Sequence, residues 1–423
     1  MKDVLRILMA VSLLALGSPA QAVKRRVFIT SVTGKGNLGS WSEGHGQTGQ
    51  AAGDAICRAR AAAASLPNAT TYRAWLSTSG NDAYCHVQGL TGTVGNGCDG
   101  IAQPGGGPWS LRDGVTPFSG SLDELTATNA VIYRPVASDE YGDPIDNLTS
   151  FVWTGTHADG TATSDDCNGW KSITGQSTGL VGSPVGSTQI WTDYHDIGFG
   201  CSGTFHLLCF EPGESEAPDT RWTEPAALAF TTSASGNGDL SSWPDAGGQT
   251  GLDAGDAICR AVAARAALPA PDSFVAWLSS STIDARDRLV DPGPGIAFKR
   301  LDGFTVATSK ADLIDNSNAA PFNVDEHGRY FATDSYSWTG TFGDGTGDRI
   351  VPANCNDWSS TAPEAGQADL GDLASAGSTD WTFEVNDYCS ASYHLMCLSG
   401  VVTIFLDGFD LSGDTSRWSF TSP

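Results

Sequence analysis

Ile56, Ala59, Ala63 and Leu66 are spaced three, four and three positions apart, so they line one face of a helix. Pro67 ends the pattern. Asp54 then falls in the expected first turn, where a carboxylate complements the positive end of the helix dipole. The string DAICRA returns at 256–261, with Arg265 in place of Ala63, which puts that position at the margin of the apolar stripe. Each helix is followed by an aromatic run, Tyr72-Arg-Ala-Trp-Leu and Phe274-Val-Ala-Trp-Leu, that reads as a buried strand. VWTGT (152–156) and SWTGT (337–341) predict further strands, as do HLLC (206–209) and HLMC (394–397). Long stretches of Gly, Ser, Thr, Asn and Asp separate them, as expected of turns and loops.

The two sets of elements are one set, duplicated. Displaced by 202 positions, TGQAAGDAICRARAAAASLPNATTYRAWLSTS (48–79) overlies TGLDAGDAICRAVAARAALPAPDSFVAWLSSS (250–281). CNGW (167–170) then matches CNDW (355–358), and CSGTFHLLC (201–209) matches CSASYHLMC (389–397). A repeat of this length is a duplicated domain. From Cys57 to Cys167 is 110 positions but from Cys259 to Cys355 only 96, and the surplus in the first copy brings its own Cys85 and Cys98. An inserted loop with a private cysteine pair is expected to be stapled Cys85–Cys98. Four framework cysteines remain per copy and allow three pairings, which spacing alone does not decide. Joining first to last closes the longest loop and constrains the unfolded chain most, which favours that pairing.

The remaining features place the chain in a compartment. Lys2 and Arg6 flank an apolar run at 7–16 that ends in Ala20-Gln-Ala22, the layout of a cleaved export signal and too short for a membrane span. Ten cysteines, an even number, behind such a signal argue for disulfides in an oxidising compartment. The formal charge of −25 repels phosphate backbones and anionic lipid, which counts against nucleic acid and membrane surfaces as partners. The expected organisation is a signal peptide at 1–22, domains at 23–211 and 226–400 joined by a Pro- and acid-rich linker at 212–225, and a tail at 401–423. The tail, IFLDGFDLSGDTSRWS (404–419), resembles a short C-terminal motif of secreted Gram-negative proteins, and reads as a sorting tag or a simple terminal strand.

The ordered string of GDAIC helix, x-A-W-L-S strand, V/S-W-T-G-T strand, C-N-x-W and final C-S-x-x-x-H-L-x-C resembles the endostatin-like branch of the C-type lectin-like fold, as found in uncharacterised bacterial secreted domains. The resemblance covers about 26–211 and 228–398. It implies an α+β fold of two tandem, disulfide-stapled, loop-rich domains. It also implies the bridges Cys57–Cys209, Cys167–Cys201, Cys259–Cys397 and Cys355–Cys389. The family's zinc and heparin sites do not carry over, because no histidine precedes His45 and the chain is acidic. Nor do the lectin calcium motifs, since Glu211-Pro-Gly and Asn356-Asp-Trp depart from them.

No phosphate loop, G-x-S-x-G or H-E-x-x-H pattern occurs, so no enzyme is expected. Asp344 and Asp348 in GDGTGD (343–348) are weak calcium candidates, but Asp-Gly after a strand is first a hairpin turn. His206 and His394 read as strand residues, and Asp165-Asp166 as a solvated loop. Loops on a rigid scaffold carry binding, which singles out IWTDYHDIGF (190–199) and DWTFEVNDY (380–388). There Trp191, Tyr194, Trp381 and Tyr388 are candidates to stack on a sugar face, with Asp193, Asp196, Asp380 and Asp387 for its hydroxyls. Tyr84, His86 and Trp109 of the stapled insertion come next. The expected function is a secreted or surface-exposed, non-enzymatic protein that binds a glycan or an extracellular protein, without a cofactor unless calcium. A structural envelope component is the alternative and a secreted hydrolase the third reading.

Overall fold

A computed structural model describes residues 23–100, 105–145, 150–218, 224–316, 318–332, 335–350, 353–377 and 379–400. The expected signal peptide and C-terminal tail lie outside them. Each repeat builds its own mixed, eight-stranded sheet. In repeat 1, β1 (Arg25–Ile29) and β2 (Arg73–Ala74) are followed by β3 (Trp109–Leu111), β4 (Pro117–Ser119) and β5 (Val152–Trp153). Then come β6 (Thr178–Gly182), β7 (Gly198–Gly200) and β8 (His206–Phe210). The spatial order is β4-β3-β1-β8-β5-β6-β7, with β2 also on β8. β1 runs parallel to β3 and antiparallel to β8, and β8 runs parallel to β5.

Repeat 2 copies this order. Its strands are β9 (Ala226–Thr231), β10 (Phe274–Ala276), β11 (Ala297–Arg300) and β12 (Thr305–Ala307), then β13 (Tyr336–Trp338), β14 (Gln367–Asp372), β15 (Val385–Tyr388) and β16 (His394–Ser399). The order is β12-β11-β9-β16-β13-β14-β15, with β10 on β16. The protein is thus α+β.

The helices span Gly49–Ala63 and Gly251–Arg265, so they begin five residues before Asp54 and Asp256. The buried side is Ala52, Gly53, Ile56, Cys57 and Ala61, while Ala59 is half-buried and Ala63 exposed. The expected stripe is therefore rotated. The cause is that Cys57 must face β8 to reach Cys209, and the helix axis must approach the sheet. A Cβ on Gly53 would stand 2.7 Å from Leu76 Cδ1, and one on Gly255 2.7 Å from Leu278 Cδ1. Asp54 is not a dipole residue. Its carboxylate turns inward and accepts from the Ala74 amide at 3.0 Å and meets His86 Nε2 at 2.9 Å. Asp256 likewise takes the Ala276 amide at 3.0 Å and Arg288 Nη2 at 2.5 Å.

The disulfides are Cys57–Cys209, Cys85–Cys98, Cys167–Cys201, Cys259–Cys397 and Cys355–Cys389. Cys57–Cys209 ties residues 152 positions apart, a closure that removes about 5 kcal/mol of unfolded-state entropy. CNGW and CNDW form single left-handed turns, with φ between +50° and +66° throughout. L-residues resist this conformation by ~1–2 kcal/mol each. A disulfide at one end and a buried indole at the other hold each turn, with Trp170 Nε1 donating to Ser77 O and Trp358 Nε1 to Ser279 O, both at 2.8 Å.

Both faces of each sheet are covered. Phe28, Leu38, Ile56, Trp153 and Trp170 pack between helix and sheet in repeat 1. Val27, Trp75, Trp109, Trp191 and Phe210 fill the opposite face under the loops.

Candidate functional site

The loops after β6 and β14 meet each other. Ser187 N donates to Ala374 O at 2.7 Å and Ala376 N to Val185 O at 3.0 Å, around a Gly186–Ser375 antiparallel bridge. Strand register makes Val185 the counterpart of Ala374, Gly186 of Ser375 and Ser187 of Ala376. Equivalent residues thus pair reciprocally, as in an isologous dimer interface.

Arg300 locks this seam. Its side chain is 1 % exposed, and its Nη2 donates to the carbonyls of Ile132 at 3.4 Å and Tyr133 at 3.0 Å in repeat 1. It also bonds Pro321 O at 3.2 Å and Asn323 Oδ1 at 2.5 Å, and pairs with Asp302 at 2.7 Å. Burial opposes the charge, but Asp302, Tyr330 and Tyr133 together outweigh it and hold the guanidinium's pKa above its ordinary value. Tyr133 stacks on Phe304 across the seam, with ring centroids 4.5 Å apart. Burial, followed by the Glu124 and Asp302 carboxylates, pushes the Tyr133 hydroxyl up to about 12.

Beside the seam is an open cleft of about 400 Å³, within the range of small-ligand sites. Leu111, Arg134, Pro135 and Pro144 line it from repeat 1, and Asn318 and Ala319 from repeat 2. Asn318 is 4 % exposed, yet neither its amide oxygen nor its amide nitrogen has a hydrogen-bond partner among the described residues. A buried amide with both ends unsatisfied is costly unless something else completes it.

The tryptophans expected to bind ligand do not face solvent. Trp191 is 2 % exposed and packs on Trp75 at 4.8 Å; Trp381 is fully buried between Trp277 at 5.3 Å and Phe322 at 5.2 Å. The cause is a glycine in the adjoining strand. A Cβ on Gly182 or Gly371 would collide with the carbonyl of Trp191 or Trp381, so glycine lets the loop backbone close on the strand and sends each indole inward. Asp193 is buried and meets His157 Nδ1 at 3.0 Å, while Asp196 donates its amide to Asp193 at 2.8 Å. Tyr194 packs on Phe151 at 4.9 Å, and burial followed by Glu384, Asp380 and Asp372 pushes its hydroxyl up. The seam therefore brings Tyr194 and Asp380 into one electrostatic neighbourhood. Asp387 and Tyr388 lie elsewhere, on the edge strand β15, where Asp387 accepts from the Tyr393 hydroxyl at 2.6 Å and Tyr388 is 62 % exposed.

Trp109 of the insertion is buried and donates to Glu211 O at 3.0 Å, while His86 is held by Asp54 and Tyr84 by Asp123. Asp344 folds onto its own turn, accepting from Thr346 N at 3.0 Å and Oγ1 at 2.6 Å, while Asp348 accepts from Ile350 N at 2.7 Å. Neither belongs to a cluster of three ligand-competent side chains among the described residues. His206 and His394 face the carbonyls of Thr30 at 2.6 Å and Thr232 at 2.8 Å, and burial lowers the proton affinity of both.

Sequence reasoning missed Arg300 and Asn318. A signal existed for the first: by register Arg300 stands where repeat 1 has Leu111, and a base replacing an apolar strand residue marks a partner specific to one copy. Asn318 carried no such signal. A comparison with protein-family models gives no match, and no curated protein compared with the chain matches it. Among the described residues no helix is long and apolar enough to cross a membrane, and the five disulfides fit an oxidising, extracellular setting.

Proposed function

We propose that the chain is an exported, non-catalytic binding protein made of two tandem C-type lectin-like domains of the endostatin-like kind, and that it takes a glycan into the cleft beside the seam. The observation that carries this reading is Asn318, a buried amide with a spare donor and a spare acceptor lining a cleft of about 400 Å³. Adjacent sugar hydroxyls offer the complementary acceptor and donor, and Leu111, Pro135 and Pro144 supply apolar surface for a ring face. An exposed Arg134 at the cleft adds donors for ring or hydroxyl oxygens.

The test is a glycan array probed with the full, oxidised chain, followed by titration of any hit. Asn318→Leu is expected to weaken binding at least about tenfold, the value of one or two hydrogen bonds left unmade. Trp191→Phe, in the core, is expected to leave affinity unchanged. A glycan bound equally by Asn318→Leu would move the site elsewhere, and an array without hits would favour the structural envelope role.

A further inference from the structure

His195 reaches across the seam from repeat 1 to Glu384 of repeat 2, with Nε2 3.6 Å from Oε1. Asp372 joins them, so that one ligand-competent atom from each of the three side chains lies within 4.8 Å of the others. Asp372 is 3 % exposed, and the Glu384 Oε2 atom is buried without a hydrogen-bond partner among the described residues. Among the described residues His195 supplies the only ion pair made by either carboxylate. A buried carboxylate oxygen left without a partner is strongly unfavourable.

The cluster is not inherited from the duplication. By register Asp372 stands where repeat 1 has Ser183. Counting from the aligned Trp191 and Trp381, Glu384 stands where repeat 1 has Tyr194, and His195 where repeat 2 has Val385. The symmetry-related trio is thus Ser183, Tyr194 and Val385, with no comparable ligand set.

We propose that His195, Asp372 and Glu384 hold a first-row transition dication, Zn²⁺ being the representative, which clamps the two repeats together. One imidazole nitrogen and two carboxylate oxygens suit such an ion, whereas calcium prefers oxygen alone. Three protein ligands also leave a coordination position for water. A second cluster, His157, Asp193 and Asp196, has similar spacing, but its histidine side chain is 42 % exposed and already bonded to Asp193. It serves as the internal control.

The experiment uses the full oxidised chain, stripped with chelator and titrated with zinc chloride by calorimetry, with melting followed in parallel. One Zn²⁺ per chain and a raised midpoint are expected. His195→Ala and Glu384→Gln should each weaken binding more than about 100-fold, since even groups that only hydrogen-bond a metal's ligands are worth about 10–100-fold. His157→Ala should bind like the parent. Should His195→Ala fail to fold, the near-isosteric Glu384→Gln decides. No binding by the folded parent overturns the proposal, as does binding that survives Glu384→Gln or disappears in His157→Ala.

Discussion

Arg300→Leu installs in β11 the residue that β3 carries at the same register, and its cost can be worked from the seam. The change removes the donors to Ile132 O and Tyr133 O, worth about 1 kcal/mol each. It also strands Asp302, whose side chain is 12 % exposed, and removing one partner of a buried pair costs about 3–5 kcal/mol. Repeat 2 should therefore lose about 5–7 kcal/mol, of which about 2 kcal/mol is its coupling to repeat 1. At ~2–4 °C per kcal/mol for a unit of this size, calorimetry of the oxidised chain should show the transition of repeat 2 at least about 10 °C lower and separated from that of repeat 1. Arg300→Leu combined with Asp302→Asn should recover part of the loss, because Asn keeps an acceptor for the Tyr330 hydroxyl, 2.5 Å from Asp302, without a stranded charge. A single variant that melts within about 2 °C of the parent, or a double variant worse than the single, would refute the reasoning.

Two further changes test the interior. Burial, then the neighbouring Asp348, pushes the Asp369 carboxyl up to about 6, and the residue is 4 % exposed where repeat 1 has Leu180 by register. A carboxyl whose folded pKa lies above its unfolded value contributes fully below about pH 4 and loses that contribution as pH rises to about 6. The loss is about 3 kcal/mol, or about 2 kcal/mol after allowing for solvent screening. Urea midpoints should therefore show Asp369→Asn more stable than the parent at pH 7 and level with it at pH 4; parallel pH profiles would contradict the assignment. Trp191→Ala should cost about 3–5 kcal/mol as a core truncation, whereas Tyr388→Ala, on the exposed edge of β15, should stay within about 0.5 kcal/mol. Equal effects in urea denaturation would show that the two aromatics are not divided between core and surface.

The helix, the aromatic strands and the cysteine framework were legible because their information is local or repeated: a 3.6-residue period, a run of β-formers, a spacing kept in both copies. The duplication did more than any single motif, since it isolated Cys85 and Cys98 as a private staple. Where the reading erred, the missing quantity was direction. Whether Trp191 points to water or to Trp75 depends on the close approach of its own backbone to Gly182 and on an indole partner from a distant part of the chain. The helix stripe turned for a similar reason, because Cys57 must face a strand 152 residues away.

The seam lay furthest from view. Residues 183–187 and 372–376 carry no charge pattern, turn motif or periodicity that marks them as partners, and their pairing exists only once both sheets have placed them back to back. Arg300, Asn318, His195, Asp372 and Glu384 acquire meaning from that juxtaposition. Covalent spacing and periodicity act along the chain and can be read from it. The desolvation that makes a lone amide or a pair of carboxylates significant acts through space, and arises only after folding has removed water from around them.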